Sequence, residues 1–435
     1  MDKEAPDEPD AMQEALRARN EALSYHTYAK EAIAEARLRS IEGLQVLLEH
    51  SIRKTSDRSV RVLFLTAHTS LFDVYLPIYR AMEADPAFEP RVLAFKRTDI
   101  DSDLSEEEVR SFFDNLDIPA QIEGYGEEAI YPPLDASEQD VLFYTLGSVA
   151  YPPAYRMENT APRFLTAYLS YGFLLARLEN YQFNQDFHHY AWRLYASTER
   201  ERGLYTEHSK RYAGNILTVG YPKFDLYRTQ FSKPLAGNKD RPLVVWSPHW
   251  TIGLVYPALN FGCFSDLCAG MSDVFDRFRD QVDFLFKPHP NLKYALKTTG
   301  FMSAESYQFY MDSLASKPNV QVWTQGNNID LFQRSSAMIT DSISFLAEYL
   351  PSGKPMAFSE RPDRVKLSYV GEKLIDLYTR VRTADDISDF VENIVLQGYD
   401  PDKENRMRHV QSLLNVQETS TSQQILDDLK ARLRP

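Results

Sequence analysis

Short apolar runs alternate with helical segments along most of this chain, and that alternation constrains its fold more than any other feature. In the second half of the sequence, strands are predicted at 243–246, 282–286, 319–323, 337–340 and 355–358, with helical segments between most of them. A helix between two strands returns the chain across the sheet, so successive strands run parallel. The pattern therefore predicts an α/β fold built on parallel sheets.

The first half of the sequence shows the same alternation. Residues 62–65 and 92–95 are predicted strands, and residues 71–82 are predicted to be largely helical with a kink at Pro77. Further short apolar runs lie within 140–219. These runs predict an additional sheet domain that precedes the one described above.

A polar segment lies between the two predicted sheet domains. The polar segment 232–242 contains Gly, Pro and Lys, which is typical of an interdomain linker. We therefore divide the chain into an N-terminal helical extension (1–57), a first sheet domain (58–235), a second sheet domain (236–400) and a C-terminal helix (401–435). Two α/β domains that face a central cleft are the simplest architecture for 435 residues.

The N-terminal extension is rich in Ala, Glu and Arg over residues 10–53, and this stretch contains no Pro. Its apolar residues recur at helical spacing, which predicts a long helix with an apolar stripe. The stripe could dock on the body of the protein or pair with another subunit. A homo-oligomer formed through residues 10–53 is therefore one expectation for this segment.

Polar turns follow two of the predicted strands in the second domain. A cationic turn with Lys287 and His289 follows one strand, and a hydroxyl-rich turn with Ser342 and Ser344 follows another and opens a helix. Open α/β sheets bind ligands at the carboxyl ends of their strands. Hydroxyls and free backbone N–H groups at a helix start suit phosphate oxygens. The two turns therefore predict a site for a phosphate-bearing donor.

Three further residues extend this predicted donor site. His249 follows the strand 243–246 and could donate to a phosphate or act as an acid or base near neutral pH. Asp341 cannot bind phosphate directly, but it could hold a ribose hydroxyl, orient one of the two histidines, or cap the next helix. Glu348, about two turns further along that helix, could accept ribose hydroxyls.

The first domain contributes a candidate general base. His68 lies in the turn after the first predicted strand, and Asp73 follows five residues later. A histidine held by a carboxylate could take the proton of an acceptor hydroxyl. His249 is the rival for this catalytic role, and Tyr171 could also reach the cleft.

Charge and composition exclude several classes of function. Lys and Arg total 48 against 62 Asp and Glu, so the net charge of −14 argues against nucleic-acid binding. The chain contains Cys263 and Cys268 as its cysteines, and structural thiols in a reducing cytoplasm fit this number. No stretch approaches the ~20 apolar residues of a membrane-spanning helix. Any membrane contact would then be peripheral.

A metal site is not expected near the phosphate turns. Asp99 and Asp101 have the Asp-x-Asp spacing that holds a metal ion on the diphosphate in many other nucleotide-sugar transferases. They lie in the first domain, away from the predicted donor site, and a solvated acidic loop is the favoured explanation for them. We therefore expect no metal ligands in the site and no cofactor.

Four motifs that occur in order link the chain to a known family. They are Gly-Tyr-Pro-Lys-Phe-Asp at 220–225, Trp-Ser-Pro-His-Trp-Thr at 246–251, Lys-Pro-His-Pro at 287–290, and Thr-Asp-Ser-Ile-Ser at 340–344 followed by Lys-Pro at 354–355. With these motifs the chain resembles the CDP-glycerol glycerophosphotransferase family, which includes teichoic acid polymerases and capsule-assembly enzymes. The motifs cover roughly 218–360.

The resemblance implies a GT-B fold, in which two Rossmann-like domains face a cleft and the second binds the donor. It implies transfer of a polyol phosphate or sugar from a cytidine-diphosphate donor to a glycan or lipid-linked acceptor, in the cytoplasm or at the inner face of the cell membrane. By the matching positions, His289 and the turn with Ser342 and Ser344 would hold the donor diphosphate, with His249 and Thr251 beside them.

Two departures from the family pattern leave the donor and the acceptor open. Teichoic acid polymerases typically carry a His-Gly pair in the first domain that helps to activate the acceptor, and the nearest match here is Tyr171-Gly172. The Asp-Tyr-Ser-Ser form of the later motif is Asp-Ser-Ile-Ser at 341–344. A sugar-nucleotide epimerase of the same shape and a non-catalytic scaffold that pairs through residues 10–53 are therefore alternative interpretations.

Overall fold

The computed structural model describes the chain in the ranges 8–55, 57–99, 104–126, 128–211, 213–230, 241–253, 259–323, 328–414 and 419–434. Within these ranges, strands and helices alternate as the sequence predicts, and the strands form two separate parallel sheets. The predicted α/β class with two Rossmann-like domains is therefore confirmed. Of the predicted interdomain linker at 232–242, all but the last two residues lie outside the described residues.

The first sheet has the strand order β3-β2-β1-β4-β5-β6-β7. Its strands are β1 (Val60–Thr66), β2 (Phe88–Phe95), β3 (Ala120–Glu123), β4 (Val141–Tyr144), β5 (Leu165–Leu169), β6 (Arg193–Ala196) and β7 (Ile216–Thr218). The central strand β1 lies between β2 and β4, where Phe64 is opposite Val92 on one side and Phe143 on the other. Strand β3 was not predicted, because an edge strand with partly exposed residues carries no apolar run.

The second sheet has the strand order β10-β9-β8-β11-β12-β13. Its strands are β8 (Leu243–Ser247), β9 (Asp283–Phe286), β10 (Val320–Val322), β11 (Ala337–Thr340), β12 (Met356–Ser359) and β13 (Thr379–Val381). Every residue of β11 and β12 is buried, which fits the uninterrupted apolar runs that predicted them. The edge strand β13 was missed for the same reason as β3.

Helices cover both faces of the sheets. In the first domain they are α2 (Leu76–Glu83), α3 (Glu106–Asn115), α4 (Met157–Thr160), α5 (Glu179–Phe183), α6 (Asp186–Tyr190), α7 (Glu199–His208) and α8 (Lys223–Gln230). In the second domain they are α9 (Phe264–Arg277), α10 (Leu292–Thr298), α11 (Ala304–Ala315), α12 (Asn328–Arg334), α13 (Ile343–Glu348), α14 (Tyr369–Ile375) and α15 (Ala384–Phe390), which Val391–Leu396 extend as π-helix. No helix in these described ranges is long and apolar enough to cross a bilayer.

The segment 69–83 differs from the predicted kinked helix. Thr69–Val74 form a 3-10 turn, and α2 begins afresh at Leu76. Pro77 lies in the first turn of α2, where its missing N–H costs no helical hydrogen bond, so it starts a helix instead of bending one. The tight 3-10 turn matters for the site because it carries Asp73.

The N-terminal helix α1 (Glu8–Lys54) forms as predicted. From Leu38 onward it docks on the first domain, where Ile41 is buried and the side-chain amide of Gln45 donates to the carbonyl of Tyr190 at 2.8 Å. Residues 27–37 are exposed. The predicted docking on the body therefore holds for the last part of α1.

The predicted C-terminal helix is divided into α16 (Lys403–Leu414) and α17 (Thr421–Leu433). Helix α17 crosses back onto the first domain, as expected, and packs its buried Ile425 and Leu429 against the core that includes Ile78 of α2. Asp225 at the start of α8 fixes the beginning of α17. Its carboxylate accepts from the backbone N–H groups of Thr421 at 2.9 Å and Ser422 at 2.8 Å, and from the hydroxyls of Ser420 and Ser422.

Replacing Asp225 with Ala should destabilise the protein by about 2–3 kcal/mol, because it leaves buried N–H and hydroxyl groups at the start of α17 without their acceptor. The urea midpoint followed by circular dichroism measures the change. Asp427→Ala is the matched control, because Asp427 is an exposed carboxylate on the same helix that bonds the Gln423 side chain. Equal midpoints for the two variants would contradict the proposed role of Asp225.

Candidate functional site

The strand order of each sheet places a crevice beside its first strand. Successive strands extend in one direction from β1 and then in the other from β4, and the same reversal occurs between β8 and β11. At such a switch point the loops after the two strands diverge and leave a ligand-sized opening. His68 follows β1, His249 follows β8, and Ser342 follows β11. These three predicted site residues therefore lie at the switch points of the two sheets.

The two domains bring these loops together. A Cβ atom built on Gly172 of the first domain would lie 3.9 Å from the Cβ of Ser344 in the second. His68 interacts electrostatically with His289, and Lys287 interacts electrostatically with Asp73. The predicted donor and acceptor residues thus share one interdomain cleft.

Two histidines stand side by side on the second-domain wall of the cleft. The ring centroids of His249 and His289 lie 5.0 Å apart. The Nδ1 atom of His249 accepts from the backbone N–H of Thr251 at 3.3 Å and pairs with the Thr251 hydroxyl at 2.9 Å. The Nδ1 atom of His289 accepts from the backbone N–H of Asn291 at 3.0 Å. Thr251, a predicted donor-site residue, therefore orients His249.

His68 on the opposite wall has the same arrangement. Its Nδ1 atom accepts from the backbone N–H of Ser70 at 3.1 Å and pairs with the Ser70 hydroxyl at 2.9 Å. A backbone N–H can only donate, so the Nδ1 atom of each of these histidines carries no proton. The proton of a neutral ring then resides on Nε2. The three rings are thus held as N–H donors.

The electrostatic environment keeps all three rings neutral. Burial lowers the pKa of His249 to about 3, and burial with the nearby Arg97 lowers the pKa of His68 to about 4. Burial, helped by His249 and Lys287, lowers the pKa of His289 well below its ordinary value. At neutral pH the histidines therefore contribute directed donors without net charge.

Lys287 supplies the positive charge on this wall. Burial lowers its pKa to about 8, with Glu348 and Asp73 opposing that shift, so the ammonium stays mostly protonated at neutral pH. Its Nζ atom lies 5.6 Å from the ring centroid of Phe345. The hydroxyls of Ser342 and Ser344 are 3.3 Å apart at the start of α13.

Asp341 is buried below the cleft wall and holds two backbone segments of the second domain in place. It is 1% exposed, and its two carboxylate oxygens accept from the backbone N–H groups of His249 and Cys263, each at 2.5 Å. Burial raises its pKa to about 7 against the effect of those bonds. The carboxylate therefore holds the turn that carries His249. Among the described residues it makes no hydrogen bond to the first N–H groups of α13, so the predicted role as a cap of that helix is not observed. Cys263 is a buried free thiol, as expected.

Glu348 faces the first domain. It is 3% exposed, accepts from the hydroxyl of Tyr221 at 3.0 Å, and pairs with the Nζ atom of Lys223 at 3.4 Å. The carboxylate predicted to bind ribose is thus engaged with the motif at 220–225, and it fastens the two domains together. The sequence analysis noted that motif for the resemblance but gave Tyr221 and Lys223 no role.

The predicted pairing of Asp73 with His68 does not form. Within the described ranges the hydrogen bonds of His68 go to Ser70, and Asp73 makes none. The charge of Asp73 interacts instead with Lys223 of α8 and with Lys287 and Glu348 of the second domain. In a 3-10 helix residues three apart share a face, so a five-residue spacing does not align Asp73 with His68.

Arg97 was missed by the sequence analysis. It follows β2, and its guanidinium donates to both carboxylate oxygens of Asp99, at 2.8 and 2.7 Å. Its charge acts on His68 and Tyr171, which places it at the first-domain wall of the cleft. Asp99 is therefore the partner of an arginine, while Asp101 lies outside the described residues.

Comparisons with known proteins identify the fold. No protein-family model matches the sequence, and no curated protein matches it. Among solved structures, a variant of the wall teichoic acid polymerase TagF soaked with CDPG is 14% identical, with a TM-score of 0.56 over 95% of this chain and 98% of that one. UDP-GlcNAc 2-epimerase from Neisseria meningitidis bound to UDP-GlcNAc is 11% identical, with a TM-score of 0.54 over 86% and 100%. The chain therefore has the GT-B-like fold that the resemblance implied.

The histidine geometry predicts a specific NMR signature. In long-range ¹H–¹⁵N spectra, His68, His249 and His289 should each show the Nε2–H tautomer at pH 7 and remain neutral at pH 5, because backbone N–H groups occupy Nδ1 and burial disfavours the cation. Single His→Gln variants assign the signals. A ring that titrates near pH 6.5 would contradict the arrangement at that residue.

Proposed function

We propose that this protein is a transferase that binds a nucleotide-diphosphate donor in the interdomain cleft and transfers its activated group to a hydroxyl acceptor. One observation carries the proposal. The neutral N–H donors of His249 and His289, the ammonium of Lys287 and the serine pair at the start of α13 all follow β8, β9 or β11, beside the switch point of the second sheet. Directed donors with one cation suit the oxygens of a diphosphate.

The same hydrogen-bond donors and the same cation would also stabilise the leaving nucleotide during transfer. When the bond to the leaving nucleotide breaks, negative charge collects on its terminal phosphate. Donors that are already oriented stabilise this charge without reorganising, and loss of one such donor typically lowers the rate by about 10²–10³. His289, whose Nδ1 is fixed by Asn291, is the residue we assign first to this role.

The more specific proposal is a cytidine-diphosphate donor, with transfer of a glycerophosphate, polyol phosphate or sugar to a glycan or lipid-linked acceptor in cell-surface polysaccharide synthesis. Three of the motifs behind the family resemblance contribute side chains to the cleft, namely those at 246–251, 287–290 and 340–344. The TagF structure with the same fold was soaked with CDPG. A UDP-sugar epimerase is the second candidate, because the fold is also that of UDP-GlcNAc 2-epimerase.

A thermal-shift panel separates these candidates. CDP-glycerol, CDP-ribitol, UDP-GlcNAc and a GDP-sugar are each added to the purified protein, and the CDP-linked ligands should raise the melting temperature most. A ligand that binds the native state alone stabilises it by ~2.7 kcal/mol at 100 times its dissociation constant. Stabilisation by UDP-GlcNAc alone, with epimer formation and no acceptor, would instead establish the epimerase.

The panel is repeated with two matched variants. His289→Ala should lose most of the ligand-induced shift, and donor turnover should fall by about 10²–10³. His50→Ala removes an exposed histidine on α1 and should behave as the wild type. A full ligand response in His289→Ala would show that the donor binds elsewhere.

Donor turnover should survive treatment with EDTA. The carboxylates of Asp341 and Glu348 beside the donor wall are committed to backbone N–H groups and to Lys223, respectively, so they are not available to hold a divalent ion on a diphosphate. Lys287 and the histidine donors supply the stabilisation that a metal would otherwise provide. Turnover is measured with EDTA and after adding magnesium or manganese. A loss that either ion restores would overturn metal-independent transfer.

A further inference from the structure

A hydroxyl acceptor needs a base, and the histidines of the cleft are poorly suited to be one. A base must offer a lone pair to the acceptor proton. In His68, His249 and His289 the Nδ1 lone pair is used by a backbone N–H, and Nε2 already carries the ring proton. Each ring can therefore donate into the cleft but cannot accept from it.

Asp73 has the opposite properties. It is 7% exposed, and its carboxylate makes no hydrogen bond to any residue within the described ranges. Buried carboxylates are normally satisfied by donors, so one that is left open at a cleft is available to a ligand. It lies in the loop after β1, at the switch point of the first sheet. That is the wall opposite the donor groups.

The charges around Asp73 come from several elements. Lys223 of α8 and Lys287 after β9 favour the ionised carboxylate, whereas Glu348 of α13 and Asp330 of α12 oppose it. Burial is the largest effect and raises the pKa of Asp73 to about 6. The group is thus ionised at neutral pH and more basic than an exposed aspartate.

We propose that Asp73 is the catalytic base that deprotonates the acceptor hydroxyl, and that His68 is a hydrogen-bond donor on the same wall of the cleft. The assignment rests on the proposed transferase function. The acceptor O–H proton passes to the Asp73 carboxylate while the acceptor oxygen bonds to the electrophilic atom of the donor. The bond from that atom to the oxygen of the leaving nucleotide breaks, and its electron pair stays on the nucleotide phosphate, next to Lys287 and His289.

The test compares three variants, with glycerol as the acceptor and the best ligand of the nucleotide panel as the donor. Asp73→Ala should lower the single-turnover rate by about 10²–10⁴ while the donor dissociation constant, measured by calorimetry, stays within about twofold. Added formate should restore part of the rate, because a small carboxylate can occupy the space left by the side chain. Asp114→Asn is the matched control. It neutralises an exposed carboxylate on α3 of the same domain and should keep the wild-type rate.

The pH profile gives a second readout. The wild-type rate should fall as the pH drops through about 6, because protonated Asp73 can no longer accept the proton. This limb should be absent in Asp73→Ala and present in His68→Gln, which keeps an N–H donor at that position.

Each outcome bears on a distinct claim. A wild-type rate and pH limb in Asp73→Ala would overturn the assignment, as would weakened donor binding with an unchanged rate. Loss of the limb in His68→Gln alone would return the role of the base to His68. If the wild type binds no nucleotide of the panel, the proposed function fails and this assignment fails with it.

Discussion

The buried contact of Glu348 with Tyr221 and Lys223 is the constraint on which the site depends, because it fixes one domain against the other. Both charged partners are almost fully buried, so their attraction is offset by the loss of hydration and adds little net stability. The ion pair instead fixes the relative position of the two domains. Removing either partner would leave the other as an unpaired buried charge, which is strongly destabilising. Histidine donors on one wall and a carboxylate on the other can act on one substrate only while that spacing holds.

Within each wall of the cleft, backbone N–H groups orient the histidine rings. The residue two positions after His68, His249 and His289 donates its N–H to the ring, so the local turn selects the tautomer. Asp341 then holds the turn that carries His249. Such an arrangement needs few charged side chains, because the geometry of main-chain turns orients neutral rings as hydrogen-bond donors.

Much of the fold could be predicted from the sequence, because buried parallel strands such as β9 and β11 are uninterrupted apolar runs. The edge strands β3 and β13 could not, because half-exposed strands lack that signal. The positions of His249, Lys287 and His289 at strand ends could be predicted as well, because each closely follows one of these apolar runs. The sequence analysis could not reveal that His68 bonds Ser70 and not Asp73, or that Glu348 pairs with Lys223. Those facts depend on a 3-10 turn and on contacts between residues 125 positions apart.

The attachment of α17 to Asp225 makes the first domain discontinuous in the sequence. During synthesis on the ribosome, the strands and helices of residues 60–230 emerge long before α17, and the whole second sheet is made in between. Until then the part of α2 against which α17 packs lacks that cover. The first domain therefore cannot finish folding as an independent unit while the chain grows, and its completion is coupled to that of the second. Nascent chains of this architecture have a long interval in which chaperones can bind that surface.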